Sequence, residues 1–306
     1  MTKKDVVEID VPKVITSFLT DDEDKIAYAE GEVTDAGEVS DNWIELVTER
    51  GIILNGNKTE LGQGVGSFVT ELQGLEPQNH YTLRAYAINS AGTGYGEEIR
   101  FLLDIDENIY RTVIIGDQEW IAENLKTTRL NDGTPIPLLE DKFQWEDAYE
   151  NETPAYTYYD NDIDNKNIYG ALYNWYTVDT HKLCPTDWHV PSTDEFYILI
   201  DFAGGVENGG KLKTPGTTHW KNPNTGATNE FGLSALPGGG RFHQDLVERQ
   251  YDFLFGRIGE RGYWWTTSYP GTYGYADFVK LSHDTSLAEQ KTYWGGTGFS
   301  CRCIKN

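Results

Sequence analysis

Residues 75–89 read LEPQNHYTLRAYAIN and carry the most specific strand signal in the first third of the chain. Alternate residues from Tyr81 to Ala87 share one face of a strand, because successive side chains of a strand point to opposite faces. Leu75 and Pro77 form a corner just before this strand. A tyrosine at such a corner buries its ring and returns its hydroxyl to nearby backbone, which is typical of β-sandwiches.

The segments around this strand predict an all-β sandwich over residues 11–104. Short alternating segments, separated by polar turns, recur at a spacing of roughly ten residues. They are Val14–Phe18, Ile26–Val33, Trp43–Val47, Ser67–Leu72 and Tyr95–Leu103. Together with the corner they resemble a fibronectin type III domain. Residues 1–10 are rich in charge and are expected to form a flexible N-terminus.

The charge of the chain excludes several classes of partner. The 306 residues include 49 Asp and Glu against 25 Lys and Arg, a net charge of -24. This field repels a phosphate backbone, so nucleic-acid binding is excluded, and an anionic membrane surface is a poor partner. No run of about 18 apolar residues is present, so no direct membrane span is expected. Divalent cations and neutral glycans remain compatible.

A second domain is predicted over residues 105–306, after a linker at Asp104–Asn108. The length of the chain suits about two domains. Gly116-Asp117 separates two apolar runs and predicts a β-hairpin. Two helices followed by short aromatic strands and glycine-rich loops indicate an α+β domain.

The two predicted helices differ in how clearly their ends are marked. The first covers about residues 170–178, where apolar residues recur at helical spacing. The second begins at Ser192, because Ser192 and Glu195 have the spacing of a capping box. It continues to Phe202 and ends at Gly204-Gly205.

Seven motifs after residue 108 resemble, in the same order, those of the Fibrobacter succinogenes major paralogous (FISUMP) domain family. They are WIAENL (Trp120–Leu125), NDGTPI (Asn131–Ile136), YGALYNW (Tyr169–Trp175), CPTDWHVPS (Cys184–Ser192), LPGG (Leu236–Gly239), GYWWTTS (Gly262–Ser268) and GFSCRC (Gly298–Cys303). The resemblance implies a C-type lectin-like fold, also similar to sulfatase-modifying enzymes. It further implies an exported protein of the bacterial cell surface, often an outer-membrane lipoprotein of the Bacteroidetes, with a lipid anchor outside this sequence.

The chain has three cysteines, Cys184, Cys301 and Cys303. Cys301 and Cys303 are two residues apart on a predicted strand and face the same side, so by direction either could reach Cys184. The family resemblance implies that Cys184 pairs with Cys303. Three buried thiols are the alternative. A bridge would require an oxidising compartment.

Asp160, Asp162 and Asp164 are the candidate metal ligands. Alternating aspartates place several carboxylates on one side of a loop, and Ca²⁺, the one candidate cofactor, prefers hard oxygen ligands. The segment is not an EF-hand, because it lacks the glycine and the glutamate of that loop. An Asx turn leading into the first helix is the competing interpretation.

Aromatic residues in late loops are the candidate ligand-binding residues. Trp220, Tyr273, Tyr275 and Trp294 lie among turn-forming residues, and sugar rings stack on exposed tyrosine and tryptophan faces. A place in the hydrophobic core is the alternative for Trp220, Tyr273 and Trp294. For the Trp264-Trp265 pair on a predicted strand, the core is the favoured interpretation.

The sequence predicts a non-catalytic cell-surface binding or adhesion module that recognises a glycan or a surface protein. It contains no G-x-S-x-G, H-E-x-x-H or P-loop motif. His189 is expected to be packed as a structural residue. Two alternatives stay open, an enzyme on the fold of the sulfatase-modifying enzymes and a structural subunit of a surface assembly.

Overall fold

The computed structural model describes residues 9–21, 24–37, 47–246 and 250–306. The chain divides into two compact units, Met1–Leu103 and Asp104–Asn306. Residues 1–8 of the predicted flexible N-terminus, and most of the predicted strand Trp43–Val47, lie outside the described residues.

The first unit is built from two antiparallel sheets. Its strands are β1 (Lys13–Asp21), β2 (Ile26–Asp35), β3 (Glu49–Leu54), β4 (Asn57–Glu60), β5 (Gly66–Glu71), β6 (His80–Asn89), β7 (Gly92–Tyr95) and β8 (Ile99–Leu103). One sheet has the order β1-β2-β5. The other has the order β4-β3-β6-β8, with β7 also paired to β6. The β-rich fold expected from the sequence is therefore confirmed.

The two sheets of this unit share a core. The rings of Phe18 on β1 and Phe101 on β8 are stacked with centroids 4.6 Å apart. The backbone N–H of Ala85 donates to Oγ1 of Thr16 at 3.0 Å. The predicted tyrosine corner is confirmed, since the hydroxyl of Tyr81 accepts a hydrogen bond from the N–H of Glu76 at 2.7 Å.

The second unit combines short helices with several small sheets. Its strands are β9 (Ile109–Ile115), β10 (Gln118–Ile121), β11 (Tyr156–Thr157), β12 (Leu172–Tyr173), β13 (Trp188–His189), β14 (Gly238–Leu246), β15 (Gln250–Ile258), β16 (Arg261–Trp265), β17 (Tyr275–Ser282), β18 (Ala288–Trp294) and β19 (Ile304–Lys305). Its α-helices are α1 (Lys142–Glu150), α2 (Asn165–Tyr169), α3 (Trp175–Asp179) and α4 (Thr193–Phe202). Two 3₁₀ helices cover Tyr159–Asn161 and Val206–Leu212. Within this unit the sheets have the orders β9-β10-β19-β13, β11-β12, β14-β15 and β16-β17-β18.

The prediction of two helices is wrong in number and right for α4. Ser192 and Glu195 form the predicted capping box. The predicted helix 170–178 is instead β12 followed by α3, because the side chain of Asn174 caps the N–H of Thr177 at 3.1 Å and starts the helix late. Helix α1 was not predicted, although Asp141 caps it.

The predicted linker Asp104–Asn108 is an ordered turn at the start of the second unit. The buried carboxylate of Asp104 accepts hydrogen bonds from the N–H groups of Asp106 and Asn108, at 2.8 and 2.9 Å. It also accepts from the hydroxyl of Tyr110 at 2.8 Å. These partners fix the start of β9. The next predicted turn, Gly116-Asp117, joins β9 and β10 as expected.

The family motifs meet at a buried polar cluster around Asn124. The side-chain oxygen of Asn124 accepts hydrogen bonds from Nε1 of Trp264 at 2.8 Å and from Nε of Arg302 at 3.2 Å. Its amide donates to the carbonyl of Tyr169 at 2.8 Å. Trp264 and Trp265 are buried, which confirms that they belong to the core. At these positions the motifs therefore specify the scaffold.

The disulfide implied by the family resemblance is present. Cys184, just before β13, is bonded to Cys303, just before β19, over a sequence separation of 119 residues. Cys301 is a free, buried thiol. The bridge closes most of the second unit into one covalent loop.

Glu123, beside the Asn124 cluster, gives the fold a predicted pH dependence. Burial raises the pKa of its carboxyl from 4.5 to about 7, against the attraction of Arg302 and Lys126. The folded state then binds more protons than the unfolded state between these values, so stability falls as pH rises from about 4.5 to 7. We expect Glu123→Gln to flatten the dependence of melting temperature on pH in this window. An equal change of melting temperature with pH in the unaltered protein and in Glu123→Gln would contradict the raised pKa of Glu123.

Candidate functional site

Five aromatic side chains and two carboxylates form a cleft in the second unit, here called the tyrosine cleft. Its volume is about 140 Å³. Small-molecule pockets usually measure about 300–1,000 Å³, so this cleft suits part of a ligand, such as one ring. Its side chains are those of Glu152, Trp175, Tyr176, Asp179, Tyr269, Tyr273 and Tyr275, and Gly274 and Gly295 complete the lining.

Helix α3 places Trp175 at the inner side of the cleft. The backbone N–H of Trp175 donates to the carbonyl of Gly295 at 2.7 Å, and its indole N–H donates to the carbonyl of Thr266 at 2.9 Å. The ring of Tyr269 stacks on Trp175 with centroids 6.0 Å apart. Two hydrogen bonds and a ring contact therefore hold Trp175 in one orientation.

Tyr273 is the most exposed aromatic side chain of the cleft, with 81% of its surface accessible. Its hydroxyl is hydrogen-bonded to Glu152, which raises the pKa of Tyr273. Burial raises the pKa of the neighbouring Tyr176, and the charge of Glu152 raises it further. Both hydroxyls therefore stay protonated at neutral pH. The hydroxyl of Tyr273 donates its proton to Glu152 and can accept a hydrogen bond from a ligand, whereas that of Tyr176 can donate one.

Tyr275 and Trp294 face each other across the β17-β18 pair. Their ring centroids lie 4.6 Å apart, and Trp294 also packs edge-on against Tyr149 at 6.0 Å. The predicted candidates Tyr273 and Tyr275 are thus brought together, with Trp294 supporting Tyr275 from outside the cleft lining.

Trp220 does not share this surface, and the expectation that it is exposed is wrong. Only 1% of its surface is accessible. Its indole N–H donates to the carbonyl of Ala235 at 3.0 Å, and the ammonium of Lys213 lies 5.2 Å from its ring centroid. Both contacts come from residues outside the loop that holds Trp220, and they bury its ring. Trp220 therefore belongs to the core.

The calcium site predicted at Asp160, Asp162 and Asp164 is not supported. In the part of the chain that the structure describes, no group of three or more His, Cys, Asp or Glu side chains is placed to hold a metal ion. The carboxylate of Asp162 accepts the N–H of Asp164 at 3.0 Å, and Asp160 adopts a left-handed backbone conformation, with a φ of 54°. The segment is therefore the Asx turn that competed with the metal site.

Glu152, Trp175, Tyr176 and Asp179 are cleft residues that the sequence analysis missed as ligand candidates. The helical spacing of Trp175 and Tyr176 within residues 170–178 predicts that they lie in the interior of a helix. Asn174 was the available signal, since a cap at this residue puts Trp175 and Tyr176 in the first turn of α3. No local signal links Glu152 to Tyr273.

His189 is packed as predicted. Its ring nitrogens lie 2.6 Å from Oδ1 of Asn306 and 2.9 Å from Oε1 of Glu195. Glu195 is also the capping residue of α4. Burial raises the pKa of Glu195, but hydrogen bonds from Ser192 and His189 outweigh burial and leave it lowered.

The cleft combines apolar ring faces with hydrogen-bonding groups. Tyrosine and tryptophan present rigid apolar faces at a low entropic cost and carry polar groups at their edges. The carboxylates of Glu152 and Asp179 can accept hydrogen bonds from ligand hydroxyls.

The family model described as the Fibrobacter succinogenes major domain matches residues 113–305. The match covers more than half of the chain, which therefore belongs to this family, and it indicates a surface-associated domain. Neither a curated protein nor a solved structure matches the chain. Within the described ranges, no helix has the length and apolar character needed to cross a bilayer.

Proposed function

We propose that this member of the Fibrobacter succinogenes major domain family is a non-catalytic binding module that recognises a neutral glycan through the tyrosine cleft. The observation that carries the proposal is the grouping of Trp175, Tyr269, Tyr273 and Tyr275 around two carboxylates. The cleft suits one terminal sugar ring, with Tyr273 as the outermost stacking surface. The net charge of -24 disfavours an acidic ligand in this cleft, beside Glu152 and Asp179.

The proposed location is the outside of a bacterial cell, as an exported protein attached to the outer membrane. The family match and the disulfide both support this location, since disulfides persist in oxidising compartments. In this arrangement the first unit is a fibronectin type III-like spacer. The second unit is a C-type lectin-like domain that displays the cleft.

A glycan array tests the proposal directly. We expect the intact protein to bind a subset of neutral glycans and Tyr273→Ala to lose about tenfold in affinity, because an aromatic contact contributes about 0.5–1.5 kcal/mol beyond the area that it buries. The matched control is Tyr197→Ala, which removes a partly exposed tyrosine from α4. This control should bind as the unaltered protein does. Flat arrays for all neutral glycans, or equal losses in both variants, would contradict the proposal.

A surface protein is the alternative partner, and the same variants distinguish it from a glycan. A peptide ligand would be competed by peptides and not by free sugars. Competition by a free monosaccharide at millimolar concentration therefore supports the glycan assignment, because one ring is the part that fits the cleft.

A further inference from the structure

We propose that the second unit carries a separate site for an acidic saccharide, here called the basic pocket. It is formed by Arg257, Arg261, Lys280 and Lys291 over a floor of aromatic rings. Its volume of about 460 Å³ falls in the usual range of ligand pockets, about 300–1,000 Å³. It shares no lining residue with the tyrosine cleft, so the inference is independent of the proposed function.

The charge at this pocket is opposite to that of the whole protein. Arg257 forms an ion pair with Glu260 at 3.1 Å, and Glu260 also forms an ion pair with Lys221 at 2.7 Å. Glu289 pairs with both Lys280 and Lys291. Arg261 lies in the field of Asp284 and Glu260. The four cations of the pocket thus face three carboxylates, and one of these, Glu260, is also paired with Lys221 outside the pocket. The pocket is therefore positive in a chain with a net charge of -24, which favours a small anionic ligand.

Arg261 is positioned by a hydroxyl group. The Tyr263 hydroxyl accepts a hydrogen bond from its guanidinium and thereby raises the pKa of Arg261. The ring of Tyr263 in turn stacks on Phe299, with centroids 4.7 Å apart and an angle of 10° between the planes. A guanidinium held in this way keeps its remaining N–H donors for a carboxylate or sulfate group.

The backbone at Arg257, which lines the basic pocket, is strained. Arg257 has a φ of 73°, a conformation that costs free energy for any residue with a Cβ. Gly240 pairs with Gly256 and Gly238 with Ile258, so Arg257 lies opposite Gly239, at a position where no pair forms and the register does not shift. Strain of this kind is retained where it positions a functional group.

The aromatic floor of the pocket and the basic side chains at its edge together indicate the class of ligand. The pocket floor is aromatic, with the rings of Phe242 and Tyr293 meeting edge-on at 6.2 Å, and it suits the apolar face of a ring. The basic rim suits an anionic substituent on that ring. A sugar ring that carries a carboxylate or a sulfate provides both features. A long nucleic acid does not fit, because the rest of the protein repels it.

The test is a calorimetric titration of the intact protein with tetragalacturonate, its neutral methyl ester and a sulfated tetrasaccharide that carries no carboxylate. We expect at least one of the two anionic probes to bind and the methyl ester to bind at least tenfold more weakly. Binding of the carboxylate probe alone assigns the site to uronides, and binding of the sulfated probe alone assigns it to sulfated sugars. Absence of binding by both anionic probes at about 1 mM would overturn the proposal.

Two variants and a matched control separate binding from folding. Arg257→Gly removes one charge and relieves the backbone strain, so affinity should fall about tenfold while the melting temperature stays equal or rises. Lys291→Gln should also weaken binding about tenfold. The matched control is Lys182→Gln, which removes an exposed charge that lies outside the pocket and pairs with Asp132. It should leave the affinity for the anionic probes unchanged. Unchanged affinity in both pocket variants would overturn the proposal, whereas Tyr273→Ala should affect only the neutral glycans.

Discussion

Replacing Cys184 and Cys303 together with serine is expected to destabilise the second unit by about 4–5 kcal/mol. The bridge closes a loop with a sequence separation of 119 residues, and the entropy that a cross-link removes from the unfolded chain grows with the length of its loop. In a domain of this size, such a loss lowers the melting temperature by about 10–20 °C. Scanning calorimetry should show this shift in the transition of the second unit.

The control for this experiment is Cys301→Ala, which removes the buried free thiol and leaves the bridge intact. We expect it to cost about 1 kcal/mol or less, because it deletes a single sulfur atom from the core. Peptide mapping of the oxidised protein should find Cys184 linked to Cys303. A bridge from Cys184 to Cys301, or a double serine variant with an unchanged melting temperature, would contradict the account.

The second large effect is expected from Arg302→Met, at about 3–5 kcal/mol. The buried guanidinium donates to the carbonyls of Ala122 at 2.7 Å and Ser234 at 3.1 Å, and also to that of Leu233. Methionine fills a similar volume and donates nothing. The variant therefore leaves these buried carbonyls unpaired, and Glu123 loses the positive charge that acts on it most strongly.

Arg111→Met is the matched control, because Arg111 lies exposed on β9. An exposed substitution of this kind is expected to change stability by no more than about 0.5 kcal/mol. Chemical denaturation of both variants measures the two free energies of unfolding. A loss below about 1 kcal/mol for Arg302→Met would show that the buried cluster contributes little to the fold.

Local signals predicted the parts of the fold that depend on neighbouring residues. The capping box at Ser192, the turn at Gly116-Asp117 and the corner before Tyr81 each lie within a few residues of their partners. Sequence patterns describe such features well, because spacing alone brings the groups together. The pairing of Cys184 with Cys303 was predicted from the family resemblance alone. The side chains of Cys301 and Cys303 point to the same side of the predicted strand, so their direction did not distinguish them.

Features that depend on distant partners could not be predicted in the same way. Trp220 is buried because it meets Ala235 and Lys213, and its own turn-rich segment gives no sign of them. Glu152 is a cleft residue because its carboxylate is hydrogen-bonded to the hydroxyl of Tyr273. The two residues are far apart in the sequence. The aspartate repeat at 160–164 allowed both a metal site and an Asx turn, and only the geometry distinguishes the two.

The central claim is that the family motifs specify the scaffold while the aromatic loops carry recognition. Saturation-transfer NMR tests it most directly: the aromatic protons of the protein are irradiated in the presence of a neutral oligosaccharide that the array identifies. The account predicts transfer to the ring C–H protons of one terminal sugar, and its loss in Tyr273→Ala with an unchanged melting temperature. Equal transfer in the variant, or no transfer to any neutral sugar, would contradict the account.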